Sequence, residues 1–145
     1  MSAIGDPDAG ITRGFTLIEM LVVLAILGLI GGIAFPRLQQ AVRLQEFRTA
    51  GATVAAVLRE ARARAVRTGR PVRFAANADG TGFGSDGGRS VALPSPLVVR
   101  TTPAGTIMFY ADGSSSGGTA LVASERRRLR FAVEPATGLF RMTAS

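Results

Sequence analysis

The side chains available for chemistry in this sequence are few in kind. All 17 basic residues are arginine, and there is no lysine, histidine or cysteine. That composition excludes Ser-His-Asp and Cys-His relays, thiolate and imidazole metal sites, Schiff-base lysines and lysine-bearing phosphate loops. Disulfides are impossible, so cysteine says nothing of redox compartment. Carboxylates and hydroxyls remain, which favours a structural or binding protein with no catalytic residue, cofactor or metal. One carboxylate stands apart. Glu19 is the sole charge in FTLIEMLVVLAILGLIGGIAF, from Phe15 to Phe35, and an acidic side chain within a membrane span costs about 3 kcal/mol unless it is paired or protonated. Gly82-Phe83-Gly84-Ser85-Asp86-Gly87 matches G-x-G-x-x-G. That motif cradles phosphate only where a helix N-terminus follows. Here Gly88 to Pro94 reads as a strand, so the match is fortuitous and the segment is expected to be a flexible hairpin loop.

These residues must be positioned by a chain of 145 residues and 15.0 kDa, enough for one domain with a modest core. The hydrophobic fraction is 47% and the mean hydropathy +0.29, despite a net charge of +7. The apolar residues are segregated. As a helix, the run from Phe15 to Phe35 would be roughly 30 Å long, the thickness of a bilayer's hydrocarbon core. A secretory signal peptide fits less well, because Glu19 interrupts the run and no small-x-small cleavage site follows. A buried core helix this apolar on every side would need a larger protein to cover it. Gly28, Gly31 and Gly32 lie inside the run and Pro36 ends it, which predicts a bending or melting point near residues 28–36.

From Leu38 to Thr68 there is no proline, and Phe47, Ala50, Val54, Leu58, Ala61 and Ala65 recur at three- and four-residue steps. This is an amphipathic helix, stopped by Gly69 and Pro71. Arg59, Arg62, Arg64, Arg67, Arg70 and Arg73 crowd its end and read as a solvated face favourable to the helix dipole. Beyond residue 70 the predicted strands are Val72–Ala76, Ser90–Leu93, Leu97–Arg100, Thr106–Tyr110, Thr119–Ala123, Leu129–Val133 and Leu139–Thr143. Turn signals include Asp79-Gly80, Asp112-Gly113 and Thr137-Gly138. The expected fold class is α+β, with a long N-terminal helix packed on a small antiparallel β domain of two sheets.

The junction Arg13-Gly14-Phe15-Thr16-Leu17-Ile18-Glu19, the apolar run behind it and Pro36 resemble the class III signal of type IV pilins and type II secretion pseudopilins. The stretch from Ile107 to Thr119, with its Asp112-Gly113 turn and Ser/Gly loop, and the final Thr137-Gly138 hairpin resemble the soluble domain of H-type pseudopilins (general secretion pathway protein H) and of FimT-type minor pilins. The resemblance implies a prepilin leader over residues 1–14, cut after Gly14 by a membrane prepilin peptidase that N-methylates Phe15. Residues 15–36 become a transmembrane and assembly helix bent at Pro36, residues 37–70 its amphipathic continuation, and residues 71–145 a periplasmic β domain. Cleavage creates an amine at Phe15, one turn from Glu19 and open to Glu19 of a neighbouring subunit. Pairing in trans would set the register of packed helices. The implied location is the inner membrane, single-pass, with the C-terminal domain in the periplasm. Charge counting points the other way, since Arg37, Arg43 and Arg48 lie beyond the span and Arg13 alone precedes it. A folded domain translocates largely regardless of such charges, so the resemblance prevails.

The implied function is that of a minor pseudopilin of the type II secretion system. Its partners would be other major and minor pseudopilins, the prepilin peptidase, the secretion machinery and exoproteins. The alternative is a FimT-like minor pilin that binds DNA in natural transformation or aids pilus assembly. On that reading Arg126, Arg127, Arg128, Arg130 and Arg141 would contact nucleic acid or another anion. Some relatives carry a Gly-Arg-x-Arg element, but here the hairpin reads Gly138-Leu139-Phe140-Arg141, with leucine at the first arginine position. A titration of residues 38–145 with duplex DNA at two salt concentrations separates the two. Tight, salt-sensitive binding supports the uptake pilin; the secretion reading expects none at about 0.15 M salt.

Overall fold

The computed structural model describes residues 15–103 and 105–144. Its elements run in the order α1 (Leu17–Thr68), β1 (Val72–Ala76), β2 (Gly82–Ser85), β3 (Ser90–Ala92), β4 (Val98–Thr102), β5 (Thr106–Phe109), β6 (Gly118–Ala123), β7 (Arg128–Val133) and β8 (Phe140–Ala144). The chain divides into two units that meet within α1, Met1–Ala41 and Val42–Ser145.

In the first unit, large apolar side chains are exposed on every side of the helix, among them Leu17, Leu21, Leu24, Leu29 and Ile33. An 18-residue window has mean hydropathy 2.6 with nothing buried, so this stretch is long and apolar enough to cross a membrane. The helix continues without a melted turn through Gly28, Gly31, Gly32 and Pro36, which corrects the expectation of melting there. Pro36 lacks an N–H, so only one intrahelical hydrogen bond is lost at that point, and the surrounding turns hold.

In the second unit, the predicted stripe of Phe47, Ala50, Val54, Leu58, Ala61 and Ala65 is buried, joined by Gly51, Ala55 and Val57. Small residues dominate the stripe, which lets β strands approach the helix backbone closely. A Cβ on Gly51 would run into the Leu129 side chain. Gly69, at φ 65°, terminates the helix in a conformation that glycine adopts without strain.

Two four-stranded antiparallel sheets complete the unit, in the orders β3-β2-β1-β5 and β4-β6-β7-β8. Alternation sets the inner faces: β7 reads exposed, buried, exposed, with Leu129, Phe131 and Val133 inward. Phe74 and Phe83 come from the first sheet, Val99, Val122 and Phe131 from the second, and all are fully buried. Phe74 and Phe83 meet with ring centroids 5.9 Å apart, and Phe131 and Phe140 at 5.6 Å edge to face. Each such ring removed from water contributes about 2–3 kcal/mol.

Seven of the eight strands coincide with the expected ones, with ends displaced by a residue or two. The eighth is a correction. Gly82–Ser85, expected to be a flexible loop, is β2, an internal strand paired with β1 on one side and β3 on the other. Phe83 anchors it in the core, and its two glycines admit close neighbours. A Cβ on Gly82 would lie 2.9 Å from the Val91 carbonyl and 2.8 Å from Asn77 Nδ2, and one on Gly84 3.0 Å from the Arg89 carbonyl. Glycine here serves sheet packing, and the chain proceeds through a Gly87 turn into β3. Gly82→Ala is therefore expected to lower stability by about 1–3 kcal/mol, because backbone must move to admit the methyl. Thermal or urea denaturation of the detergent-solubilised chain measures it.

Candidate functional site

At the N-terminal end, Gly14 and residues 1–13 lie outside the described residues. Phe15 precedes α1 and is 71% exposed. Thr16 caps the helix: its Oγ1 accepts the Glu19 N–H at 3.3 Å, and its carbonyl accepts the Met20 N–H at 3.2 Å. Thr16-Leu17-Ile18-Glu19 thus has the S/T-x-x-E spacing of a capping box. This signal was present in the sequence and is a second reason for a glutamate at position 19, since a carboxylate in the first turn also favours the helix dipole. Farther along, Gly28, Gly31 and Gly32 have open space where a Cβ would stand. Their surface is free for a close neighbour.

Of the arginines near the end of α1, Arg59, Arg67, Arg70 and Arg73 are exposed as expected, whereas half-buried Arg62 and Arg64 correct the expectation of a merely solvated face. The Arg62 Nε–H is shared between two carbonyls, Gly113 at 3.1 Å and Thr137 at 3.0 Å. It thereby joins the loop between β5 and β6 to the turn between β7 and β8. Arg59 lies over the Phe140 ring, 5.4 Å from its centroid. Arg64 donates to Glu60 Oε1 at 3.0 Å and to the Gly87 carbonyl, and Arg73 pairs with Asp86 at 3.3 Å. Period-based reading missed the bonds from Arg62 and the one from Arg64 to Gly87 because those partners are backbone carbonyls, which leave no mark in a sequence.

Local turns present those carbonyls. Asp112 accepts from Ser114 Oγ at 2.6 Å and from the Ser114 N–H at 2.9 Å. These bonds, the hydroxyl's first, hold its carboxyl below the usual carboxylate range. Gly113 at φ 85° and Gly138 at φ 61° complete the two turns. Asp79 is likewise held low by the Thr81 N–H and hydroxyl.

The remaining predicted residues gather on the second sheet. Arg128 and Arg130 are exposed positions of β7, and Arg141 in β8 sits opposite Ala132. Arg126 and Arg127 occupy the exposed turn between β6 and β7. A groove of about 340 Å³ between residues 42–53 and 91–94 is lined mainly by apolar atoms, with Glu46 its one ionisable side chain. Among the described residues no three His, Cys, Asp or Glu side chains group to hold a metal ion. These arrangements support packing and anion contact.

The prokaryotic N-terminal methylation motif matches residues 12–35, and the family described as Type II transport protein GspH matches residues 50–137. Type II secretion system protein H of Xanthomonas campestris pv. campestris is 36% identical over 135 residues, covering 87% of this chain and 80% of that protein. Among solved structures, the type IV minor pilin FimU of Pseudomonas aeruginosa superposes with a TM-score of 0.56 at 17% identity, over 72% of this chain and 91% of that one. The minor pseudopilin EpsH of Vibrio cholerae gives 0.55 at 14% identity, over 68% and 97%. At such identities the structural likeness concerns the fold.

Arg62→Ala removes a shared hydrogen bond and leaves two carbonyls to find water, with an expected loss of about 1–2 kcal/mol. Arg62→Lys should restore little of it, because an ammonium on a flexible stem does not reproduce the fixed guanidinium edge. Denaturation of both variants, with amide exchange followed in the two joined turns, checks this.

Proposed function

Since the chain belongs to the Type II transport protein GspH family, we propose that it works as a minor pseudopilin of the type II secretion system, assembling with other pseudopilins into a periplasmic filament that serves protein export. The observation that carries this reading is the order of two matches along one chain. A methylation motif on an apolar helix is followed by the H-type domain over residues 50–137.

The steps follow from the residues. The prepilin peptidase cuts after Gly14 and methylates Phe15, so the protein is a substrate and itself catalyses nothing. Until assembly, residues 15–36 hold it in the inner membrane with the β domain in the periplasm. Moving the span from lipid to neighbouring helices yields little hydrophobic gain, because lipid tails are as apolar as leucine. Close packing at Gly28, Gly31 and Gly32 and the pairing of Glu19 with a neighbour's Phe15 amine must then supply specificity. An uncompensated carboxylate at about 3 kcal/mol makes unpaired registers unfavourable. Pro36 bends the helix where the span ends. Secretion machinery and exoproteins are met through the β domain. The DNA-binding alternative is not favoured, given the protein H relative and the leucine at position 139.

Glu19→Gln separates the roles of that residue, because glutamine serves equally at the third position of a capping box but carries no charge. The variant is expected to insert and to be cleaved normally, yet to be absent from filaments, as is Glu19→Ala. Fractionation, the mobility shift on processing and co-purification with other pseudopilins give the three readouts. Normal incorporation of Glu19→Gln would refute the pairing.

A further inference from the structure

The strand register of the second sheet places four arginines on one face. Arg100 of β4 lies opposite Leu121 of β6, which lies opposite Arg130 of β7, which lies opposite Thr143 of β8. On one side of this row stand Val98, Ala123 and Arg128, and on the other Thr102, Thr119, Ala132 and Arg141. Cross-strand partners share a face, and Leu129, Phe131, Val99 and Val122 fill the opposite, buried one. Arg100, Arg128, Arg130 and Arg141 are therefore all outward, and each is exposed. None of the four strands contains an Asp or Glu. Among the described residues the ion pairs are Arg64–Glu60 and Arg73–Asp86, so no carboxylate among those residues answers the four.

We infer that this face of β4-β6-β7-β8 is a docking surface for an acidic face of another folded protein, met transiently. Three features select that occupant. The positive charge is unanswered and calls for carboxylates, which a guanidinium grips with two parallel hydrogen bonds. The charge is interleaved with apolar surface: half-buried Leu121 lies between Arg100 and Arg130 and is flanked along β6 by Thr119 and Ala123. Arginine set among apolar side chains matches the composition of protein interfaces, where arginine is enriched. Finally, no aromatic ring faces outward from these strands to stack a base. Phe131 is fully buried, and Phe140 lies beneath Arg59.

The dimensions decide between a permanent and a passing contact. Four strands about 4.8 Å apart and three rows nearly 7 Å apart give a patch of roughly 14 Å by 14 Å. That is about a quarter of the 800 Å² per partner of a standard stable interface. Such a contact is fast, salt-sensitive and steered by charge. The inference goes beyond membership of the filament, which it leaves to the helix.

The test uses the full chain in its own cells, with p-benzoylphenylalanine replacing Leu121. Illumination should yield an adduct with a protein whose crosslinked peptide is rich in Asp and Glu. Arg130→Glu with Arg141→Glu should reduce that adduct about tenfold, whereas Arg89→Glu, in the turn before β3, leaves it unchanged. Co-purification with other pseudopilins should persist in both variants, so loss of docking is distinguished from loss of assembly. Should the double reversal lower the melting temperature, Arg130→Ala replaces it with the same expected direction. An adduct insensitive to these changes, one mapped to a peptide without acidic residues, or no adduct would overturn the inference. So would reversal-sensitive binding of the purified chain to duplex DNA or to phosphatidylglycerol vesicles at about 0.15 M salt.

Discussion

Large apolar side chains from Phe15 to Leu38 stand uncovered on all sides of a helix, and water is not a tolerable solvent for them. Everything else in the chain accommodates that constraint. A helix apolar all round is suited to lipid or to packing among its own kind, and this half of α1 has that pattern. The second half carries its apolar residues on one stripe and gives the two sheets a surface to fold on. One continuous element thus carries two patterns, exposed apolar side chains all round in its first part and a single buried stripe from Phe47 onward.

Small residues solve two different problems along that element. At Gly28, Gly31 and Gly32 the space beside the backbone is empty, which suits a neighbour that arrives later. At Gly51 the space is already taken by Leu129, with Phe131 close behind. Arginine is divided in a similar way. Arg59, Arg62, Arg64 and Arg73 are engaged inside the β unit by a ring, carbonyls and carboxylates, whereas those of the second sheet's outer face have no ion-pair partner among the described residues. Uniform composition concealed that division of labour.

The α+β architecture was readable from periodicity, because three- and four-residue steps and strand alternation are set by geometry that any core must obey. The stripe from Phe47 to Ala65 and the strand Val72–Ala76 emerged as expected. Gly82-Phe83-Gly84-Ser85 did not, since glycine's loop preference is strong and only tertiary contacts with Asn77, Val91 and Arg89 turn it into a strand residue. Glu19 was recognised by its misplaced charge, but the cap from Thr16 was overlooked although its spacing was in view. Arg62 was illegible for a deeper reason. Its partners are main-chain oxygens more than fifty residues away, and a backbone carbonyl has no letter.

That last contact bears on how this sequence is free to drift. All 17 basic residues are arginine, and an exposed arginine without a partner could become lysine while preserving charge. At position 62 the same step keeps the charge and loses the latch between two distant turns. Equal charge is therefore not equal function at this position, although it is at an arginine that only faces water.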